Sequence, residues 1–367
     1  LLFPASDVMP FEAAQGNRES LWIRVSCLHR LLSNENRDPY VVVMPVTALL
    51  RKLMPPQGFR DGCINLSVGA KLLPDEMVRN LVTYGYERVS SVEAKGEVAL
   101  RGGILDVFPP IADYPYRIEF FYDEVDSIRG FDPETQVSTH MLDEVSISPA
   151  ADHLPPDNSG TWDGTTILEY FPEMPLVVVD GYNRCMDALK EFEQIGAEVA
   201  SARILAGTMT PQDSSIYFPV SMIEPRLSDL SLVFEPFAGT ARGFSPREMI
   251  ETDITLQVGF SGRWQEMIQE IKQLVSDKQR VVLLAGNRER LDLLKRWLEK
   301  EDLWVSAQES VLEEPLPGVA TLSLGSGESG FNCVSLGLSV FTETELYGRT
   351  KVRREKRARP RKKIPLH

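Results

Sequence analysis

The chain has 367 residues, too many for one ordinary domain, so two to four domains are expected at roughly 100–200 residues each. Hydrophobic residues make up 43% and charged residues 25%, as in water-soluble globular proteins, and no apolar run is long enough to cross a bilayer, so we predict no membrane span. The four cysteines lie far apart, which is typical of reduced thiols, so we predict a cytoplasmic protein. The formal net charge of −14 argues against nucleic-acid binding over most of the surface, because nonspecific affinity requires Lys and Arg that neutralise phosphates.

The first predicted elements are those of an α/β domain. Residues 18–34 have apolar side chains at three- and four-residue spacing, which indicates an amphipathic helix. Residues 40–44 predict a buried strand, and residues 47–53 predict a short helix that ends before two prolines. The chain opens within a pattern and without an initiator methionine, so we expect a fragment, with residues 1–62 as the first part of a truncated α/β domain.

The pattern then changes to short alternating strands with one helix near residues 74–84, which predicts a small mixed α+β domain over residues 63–149. Beyond a Pro- and Asp-rich stretch, a strand at residues 174–180 and a helix at residues 187–195 indicate the second part of the α/β domain, residues 150–250.

A further strand at residues 279–286 runs into a helix at residues 288–300, which predicts a small α/β domain over residues 251–345. Residues 346–367 are predicted to be a basic linker. Residues 351–363 hold nine Lys or Arg and one Glu, leaving 30 basic and 52 acidic side chains elsewhere, a formal charge of −22. Only this segment is expected to touch nucleic acid, with weak candidate contacts at Lys351, Arg353, Arg354, Lys356 and Arg357.

Motifs for metal, cofactor or catalytic chemistry are weak. The four cysteines form no CxxC pair and the four histidines are scattered, so we predict reduced thiols and no metal site. Residues 325–330 match GxGxxG, but the following residues predict a loop and a strand instead of the helix that a dinucleotide site needs. Asp180 ends a strand where a nucleotide hydrolase would hold magnesium, yet no GxxxxGK[ST] motif occurs, so we interpret it as a residue that caps a turn. We predict no catalytic residue and no cofactor for this chain.

Residues 116–122 form the most informative predicted strand. Alternation places Ile118 and Phe120 on one face, and Arg117, Glu119 and Phe121 on the other. Alternation alone favours a structural role, with Phe121 buried by a neighbouring helix and Arg117 paired with a nearby glutamate.

Two sequence segments carry a family resemblance. Residues 101–110, RGGILDVFPP, and residues 115–129, PYRIEFFYDEVDSIR, resemble the small β-rich domain shared by the excision-repair protein UvrB and the bacterial transcription-repair coupling factors, Mfd. Residues 45–50 are similar to the PVSALL segment of the first Mfd domain, and residues 330–331 with 342–349 to the end of its third domain. The basic tail resembles the linker toward the RNA-polymerase-interacting domain, and UvrB is the weaker match because its ATPase motifs are missing.

The resemblance implies a degenerate P-loop-NTPase-like α/β domain with an inserted UvrA-docking domain, followed by a small α/β domain. It also implies that Arg101, Arg117 and Phe121 form the UvrA-docking surface, with Ile118 and Phe120 in the core behind it. Arginines and an exposed aromatic suit a docking surface, since they supply multi-donor contacts and desolvated area.

For the parent protein, the family implies an ATP-driven DNA translocase that uses ATP and magnesium, displaces stalled RNA polymerase on duplex DNA and recruits UvrA for transcription-coupled nucleotide excision repair. This chain would be the UvrA-recruiting part and not an enzyme. Two alternatives stay open: a UvrB-like helicase-related ATPase, and a generic nucleic-acid-binding protein that acts through the basic tail.

Overall fold

The computed structural model describes residues 1–5, 10–11, 18–33, 39–153, 164–229, 231–235, 244–257, 259–260, 263–308 and 314–347. The chain is a mixed α/β protein that divides into two compact units, Leu1–Pro246 and Arg247–His367. This division into two units does not test the domain boundaries predicted at residues 149–150 and 250–251, which stay predictions.

The first unit contains both an α/β region and a β-rich region. Its helices are α1 (Arg18–Leu32), α2 (Pro56–Asp61), α3 (Pro74–Thr83), α4 (Tyr182–Leu205) and α5 (Val220–Asp229). Its strands are β1 (Ile64–Ser67), β2 (Glu87–Arg88), β3 (Glu97–Arg101), β4 (Ile104–Val107), β5 (Tyr116–Phe121), β6 (Glu124–Phe131), β7 (Ser138–Leu142), β8 (Glu144–Ile147), β9 (Val177–Asp180) and β10 (Ser231–Phe234). Short 3₁₀ helices occupy Val46–Leu49, Ile167–Tyr170 and Gln212–Ile216.

The α/β region packs α1, α4 and α5 around one apolar core together with the parallel pair β9–β10. The buried strand predicted at residues 40–44 is wrong: this segment is extended and pairs through a single bridge, Leu2 with Val43. Val42 and Met44 pack against the core while Val41 and Val43 are exposed, so only one side of the segment is covered. The helix predicted over residues 47–53 is the shorter 3₁₀ helix Val46–Leu49.

The β-rich region, β1 to β8 with α3, is built on a six-stranded sheet. Its strand order is β2-β3-β4-β5-β6-β7, antiparallel throughout except for the parallel β2–β3 pair. One face packs against α3, where Met77, Val78 and Leu81 meet Leu105 and Ile118 in a continuous apolar core. We call the opposite side the outer face.

A buried ion pair connects α1 to the end of the β-rich region. The Arg24 Nε donates to Asp152 Oδ2 at 2.6 Å, and both side chains are almost completely buried. Asp152 Oδ1 is also 2.8 Å from the His153 Nδ1. Burial alone would raise the pKa of Asp152, but the Arg24 charge, the His153 hydrogen bond and the Arg51 charge together hold that pKa well below its usual range.

The second unit is a smaller α/β fold. Its strands are β11 (Ile254–Leu256), β12 (Arg280–Ala285), β13 (Val305–Gln308), β14 (Ala320–Leu324), β15 (Phe331–Cys333) and β16 (Leu338–Phe341). Its helices are α6 (Trp264–Ser276), α7 (Arg288–Lys300) and α8 (Glu343–Tyr347). The strand order is β11-β15-β16-β12-β14-β13, and β12 runs directly into α7, as the sequence predicts.

Candidate partner-binding face

The outer face brings together side chains from five neighbouring strands. Strand register pairs Ile104 with both Arg101 and Glu119, and Arg117 with both Asp106 and Arg129, so these side chains lie on one face. Phe121 follows Glu119 by two residues in β5 and pairs with Glu124 on the same face. The three residues predicted from the sequence, Arg101, Arg117 and Phe121, therefore lie on this one face of the sheet.

Asp106 is the electrostatic centre of the face. Its carboxylate is almost completely buried and accepts hydrogen bonds from two arginines. The Arg101 Nη2 lies 2.7 Å from its Oδ2, and the Arg117 Nε lies 2.7 Å from its Oδ1. A second Arg117 nitrogen, Nη2, reaches Oδ2 at 3.0 Å. A buried carboxylate is stable only when it is paired and hydrogen-bonded, so Asp106 fixes both guanidinium groups.

Arg117 is held inside the domain by every one of its guanidinium nitrogens. Besides the two bonds to Asp106, its Nη1 donates to the backbone oxygen of Gln136 at 3.1 Å. The guanidinium carbon lies 4.4 Å from the centre of the Phe131 ring, a cation–π contact. The hydrogen bond to Asp106 raises the pKa of Arg117, and its side chain is only 15% exposed. Arg117 therefore stabilises the domain through internal contacts and exposes little surface to a partner.

Phe121 is exposed, contrary to the purely structural interpretation in which a helix buries it. Its exposed fraction is 69%, and its ring packs edge-to-face against Tyr122, with ring centres 4.9 Å apart. Tyr122 has φ 57° in the turn between β5 and β6, a left-handed conformation that is uncommon for a bulky residue. This turn presents two adjacent aromatic rings to solvent at one end of the outer face.

The prediction that Ile118 and Phe120 both lie in the core behind the outer face is confirmed for Ile118 and only in part for Phe120. Ile118 is completely buried, but Phe120 is half-buried at the edge of the same apolar cluster. Phe120 lies beside the irregularity that follows Glu119 in the β5–β6 pairing, near the end of the hairpin.

The two glycines after Arg101 shape the tight turn between β3 and β4. Gly102 has φ 61° in the tight β3–β4 turn, and a Cβ on Gly103 would lie 2.9 Å from the Phe120 carbonyl oxygen. The turn thus needs the left-handed conformation at one glycine and close backbone approach at the other.

Sequence reasoning missed the second ionic group of the face. The Arg129 Nη2 donates to Glu119 Oε2 at 3.1 Å, and the Ser127 hydroxyl donates to the same oxygen at 3.1 Å. Counting residue pairs along β5 and β6 from the turn between them would place Arg129 opposite Arg117 only if one residue of β6, Asp126, is left unpaired as a bulge. The sequence alone does not show that bulge.

The other candidates lie elsewhere. Lys351, Arg353, Arg354, Lys356 and Arg357 fall outside the described residues. Strand β15 follows the GxGxxG-like residues, as predicted, instead of a helix. The Asp180 side chain is highly exposed and faces Arg184 at 3.3 Å. All four cysteines are free thiols.

The described residues show neither a metal-binding cluster nor a membrane-spanning helix. They contain no cluster of three or more His, Cys, Asp or Glu side chains placed to hold a metal ion. No helix in the same residues combines the length and apolar character needed to cross a membrane.

Comparison with known families matches residues 64–153, the segment that carries the outer face, to the UvrB interaction domain. The matched segment overlaps the predicted docking domain, residues 63–149, and includes Asp152 of the buried ion pair. Every residue described above for the outer face lies inside this matched segment.

The whole chain is similar to transcription-repair-coupling factors. It is 25% identical to that of Bacillus subtilis (strain 168) over 401 residues, which covers 95% of this chain and 34% of the relative. It is 25% identical to that of Staphylococcus haemolyticus over 410 residues and 24% identical to that of Staphylococcus aureus (strain Mu50) over 413 residues, with 97% of this chain and 34% of each relative covered. The chain spans about a third of the length of these relatives, and the match fits the N-terminal part of such a factor.

Proposed function

We propose that this chain is the UvrA-recruiting part of a transcription-repair coupling factor and acts as an adaptor in transcription-coupled nucleotide excision repair. The observation that carries the proposal is the outer face of the UvrB interaction domain, where Phe121 and Arg101 are exposed on a hydrogen-bonded sheet. The names and coverage of the similar proteins support the wider assignment to transcription-repair coupling.

The chemistry of the face suits a protein partner. Arginine and aromatic side chains are the commonest anchors of protein interfaces. Arg101, Arg117 and Arg129 lie on the face together with the carboxylates of Asp106 and Glu119, and strand register places Glu124 opposite Phe121, so the face carries charges of both signs. A partner surface with carboxylates next to an apolar pocket for Phe121 would complement it.

In this proposal the remaining functions belong to the longer parent protein. RNA polymerase and duplex DNA would be contacted by its other domains, and ATP and magnesium would serve its translocase motor. The α/β region of this chain would be a degenerate relative of P-loop nucleotide hydrolases without catalytic residues or a cofactor of its own. The lack of a GxxxxGK[ST] motif in the sequence supports that part of the proposal. We also propose a cytoplasmic location.

Calorimetric titration of the chain with UvrA tests the proposal. Substitution of Arg101 or Phe121 by alanine should weaken binding by about 1–3 kcal/mol each, the range for central interface anchors. Arg184→Ala and Trp304→Ala are matched controls, because both side chains are highly exposed and lie outside the UvrB interaction domain. The controls should bind as the unchanged chain does. Equal affinity of all four variants would reject the outer face as the docking site.

A second candidate function is nucleic-acid binding through the basic tail, favoured by the nine Lys or Arg in residues 351–363. It predicts affinity for duplex DNA that falls steeply with salt and disappears from a chain shortened to residues 1–349. This function is compatible with UvrA recruitment, since it uses a different segment.

A further inference from the structure

The three arginines of the outer face differ in how much of each guanidinium is available to a partner. Arg117 uses Nε, Nη1 and Nη2 in hydrogen bonds within the domain. Among the described residues, Arg101 bonds through Nη2 alone, and its side chain is 52% exposed. Within the same part of the chain Arg129 also bonds through Nη2 alone, and its side chain is 36% exposed. Since a carboxylate binds a guanidinium best through two parallel hydrogen bonds, Arg101 and Arg129 have more donors to offer a partner than Arg117 has.

The hydrogen bonds of Arg129 are incomplete in the free chain. Its Nε is covered from solvent and has no hydrogen-bond partner among the described residues, so the nitrogen left for a docking carboxylate is Nη1, beside the Nη2 that bonds to Glu119. Its ion pair with Glu119 is a single contact of 3.1 Å between partly exposed side chains. Such pairs are weak in water, so an incoming carboxylate can replace or supplement Glu119 at little cost. Glu119 and Ser127 meanwhile hold the guanidinium in place before binding, which reduces the entropy lost on docking.

Arg129 also has one exposed apolar neighbour on the sheet, Met141. Strand register places it opposite Arg117 on one side and opposite Met141 on the other. Met141 is 63% exposed, although it belongs to the same sheet. A guanidinium beside an exposed apolar side chain becomes desolvated on docking, which strengthens its hydrogen bonds to a partner carboxylate.

We propose that Arg129 is a docking residue of the outer face and receives a carboxylate of the partner protein next to Met141. In this arrangement Arg117 is a positioning residue that acts through Asp106 on Arg101. The inference rests on the proposed function and extends the docking surface from β3–β5 across β6 and β7.

Titration with UvrA tests the inference in the full chain. Arg129→Ala should weaken binding about tenfold without lowering the melting temperature. Arg129→Lys should recover only part of the loss, because lysine cannot make two parallel hydrogen bonds to one carboxylate. Met141→Ala should give a smaller loss. Arg184→Ala, which removes an exposed arginine from α4, is the control and should leave the affinity unchanged.

Double substitution separates the docking role of Arg129 from the positioning role of Arg117. If Arg117 acts through Arg101, Arg117→Ala should weaken binding in the unchanged chain but add little once Arg101 is alanine, as compared in variants that carry Asp106→Asn so that no unpaired buried charge unfolds the domain. The loss from Arg129→Ala should persist in the same Arg101→Ala background, since Arg129 makes its own contact. If the losses of affinity from Arg101→Ala and Arg117→Ala add fully in the double variant, the positioning role of Arg117 is wrong.

The experiment distinguishes failure of this inference from failure of the proposed function. If Arg101→Ala and Phe121→Ala weaken UvrA binding while folded Arg129→Ala binds normally, the inference about Arg129 is wrong and the docking face stands. If none of the three weakens binding, the docking face itself is rejected. If Arg129→Ala reduces affinity for duplex DNA and leaves UvrA binding unchanged, Arg129 is a phosphate contact and the proposed carboxylate contact is wrong.

Discussion

Substitution of Arg117 by alanine should destabilise the first unit, because it leaves the buried Asp106 carboxylate with fewer partners. The substitution removes two hydrogen bonds to Asp106, one to the Gln136 backbone and the contact with the Phe131 ring. Loss of one partner of a buried ion pair costs about 3–5 kcal/mol. Arg101 keeps its 2.7 Å contact with Asp106, so we expect a value near the lower end, about 3 kcal/mol.

The assay is thermal and denaturant unfolding of matched variants. For a unit of 150–250 residues each kcal/mol lowers the melting temperature by about 2–4 °C, so a loss of about 6–12 °C is expected. Arg101→Ala should cost less than about 1 kcal/mol, because Arg101 is half-exposed and Arg117 still neutralises Asp106. The double variant Asp106→Leu/Arg117→Met should be more stable than Arg117→Ala, since it leaves no unpaired buried charge.

A melting temperature of Arg117→Ala equal to that of Arg101→Ala would refute this reasoning. It would mean that Asp106 loses no stabilisation when Arg117 is removed. Arg117 would then be free to act as a direct partner contact, as the family resemblance implies.

Three further predictions concern the core, the buried ion pair and the tail. Ile118→Ala should destabilise the domain by about 2–5 kcal/mol, because it leaves a cavity in the core. Phe120→Ala should cost less than the roughly 3–5 kcal/mol of a fully buried phenylalanine, because Phe120 is half-buried. Denaturant unfolding that shows the larger loss for Phe120→Ala would contradict the packing described for β5. The folded-state pKa of Asp152 lies below its unfolded value, so the stability it contributes is present above about pH 4 and is lost as pH falls through the folded pKa. The stability difference between the unchanged chain and Asp152→Asn should therefore be larger at pH 7 than at pH 3, and a difference independent of pH would show that Asp152 is not held ionised by Arg24. Removal of residues 350–367 should abolish most affinity for duplex DNA while UvrA binding is unchanged, as measured by fluorescence anisotropy and calorimetry; undiminished DNA binding by residues 1–349 would place the DNA contacts elsewhere.

The sequence predicted the bounds of an element correctly where one strong periodicity of apolar residues runs through it. The helix predicted at residues 288–300 has those bounds, since Asn287 caps its first turn and Leu291, Leu294 and Leu298 face the core. The strand predicted at residues 116–122 ends one residue earlier, at the β5–β6 turn. In contrast, the helix predicted at residues 187–195 extends over Tyr182–Leu205, because its second half includes small residues that interrupt the apolar pattern.

The candidate site was predictable in its location but not in the role of each side chain. Alternation placed Arg117 and Phe121 on one face, and the structure has them there. The low exposure of Arg117 depends on Asp106, Phe131 and the Gln136 backbone, which come from other strands and a later turn. Such contacts depend on strand register and on two bulges, which alternation within one strand does not specify.

The most direct test of the account is the affinity of the Arg101→Ala/Phe121→Ala double variant for UvrA, measured by calorimetry beside its melting curve. The account predicts a melting temperature close to that of the unchanged chain, since both side chains are largely exposed. It also predicts a loss of affinity of at least about 30-fold, which corresponds to about 2 kcal/mol for two interface anchors. A folded double variant that binds UvrA as tightly as the unchanged chain would contradict the assignment of the outer face as the docking surface.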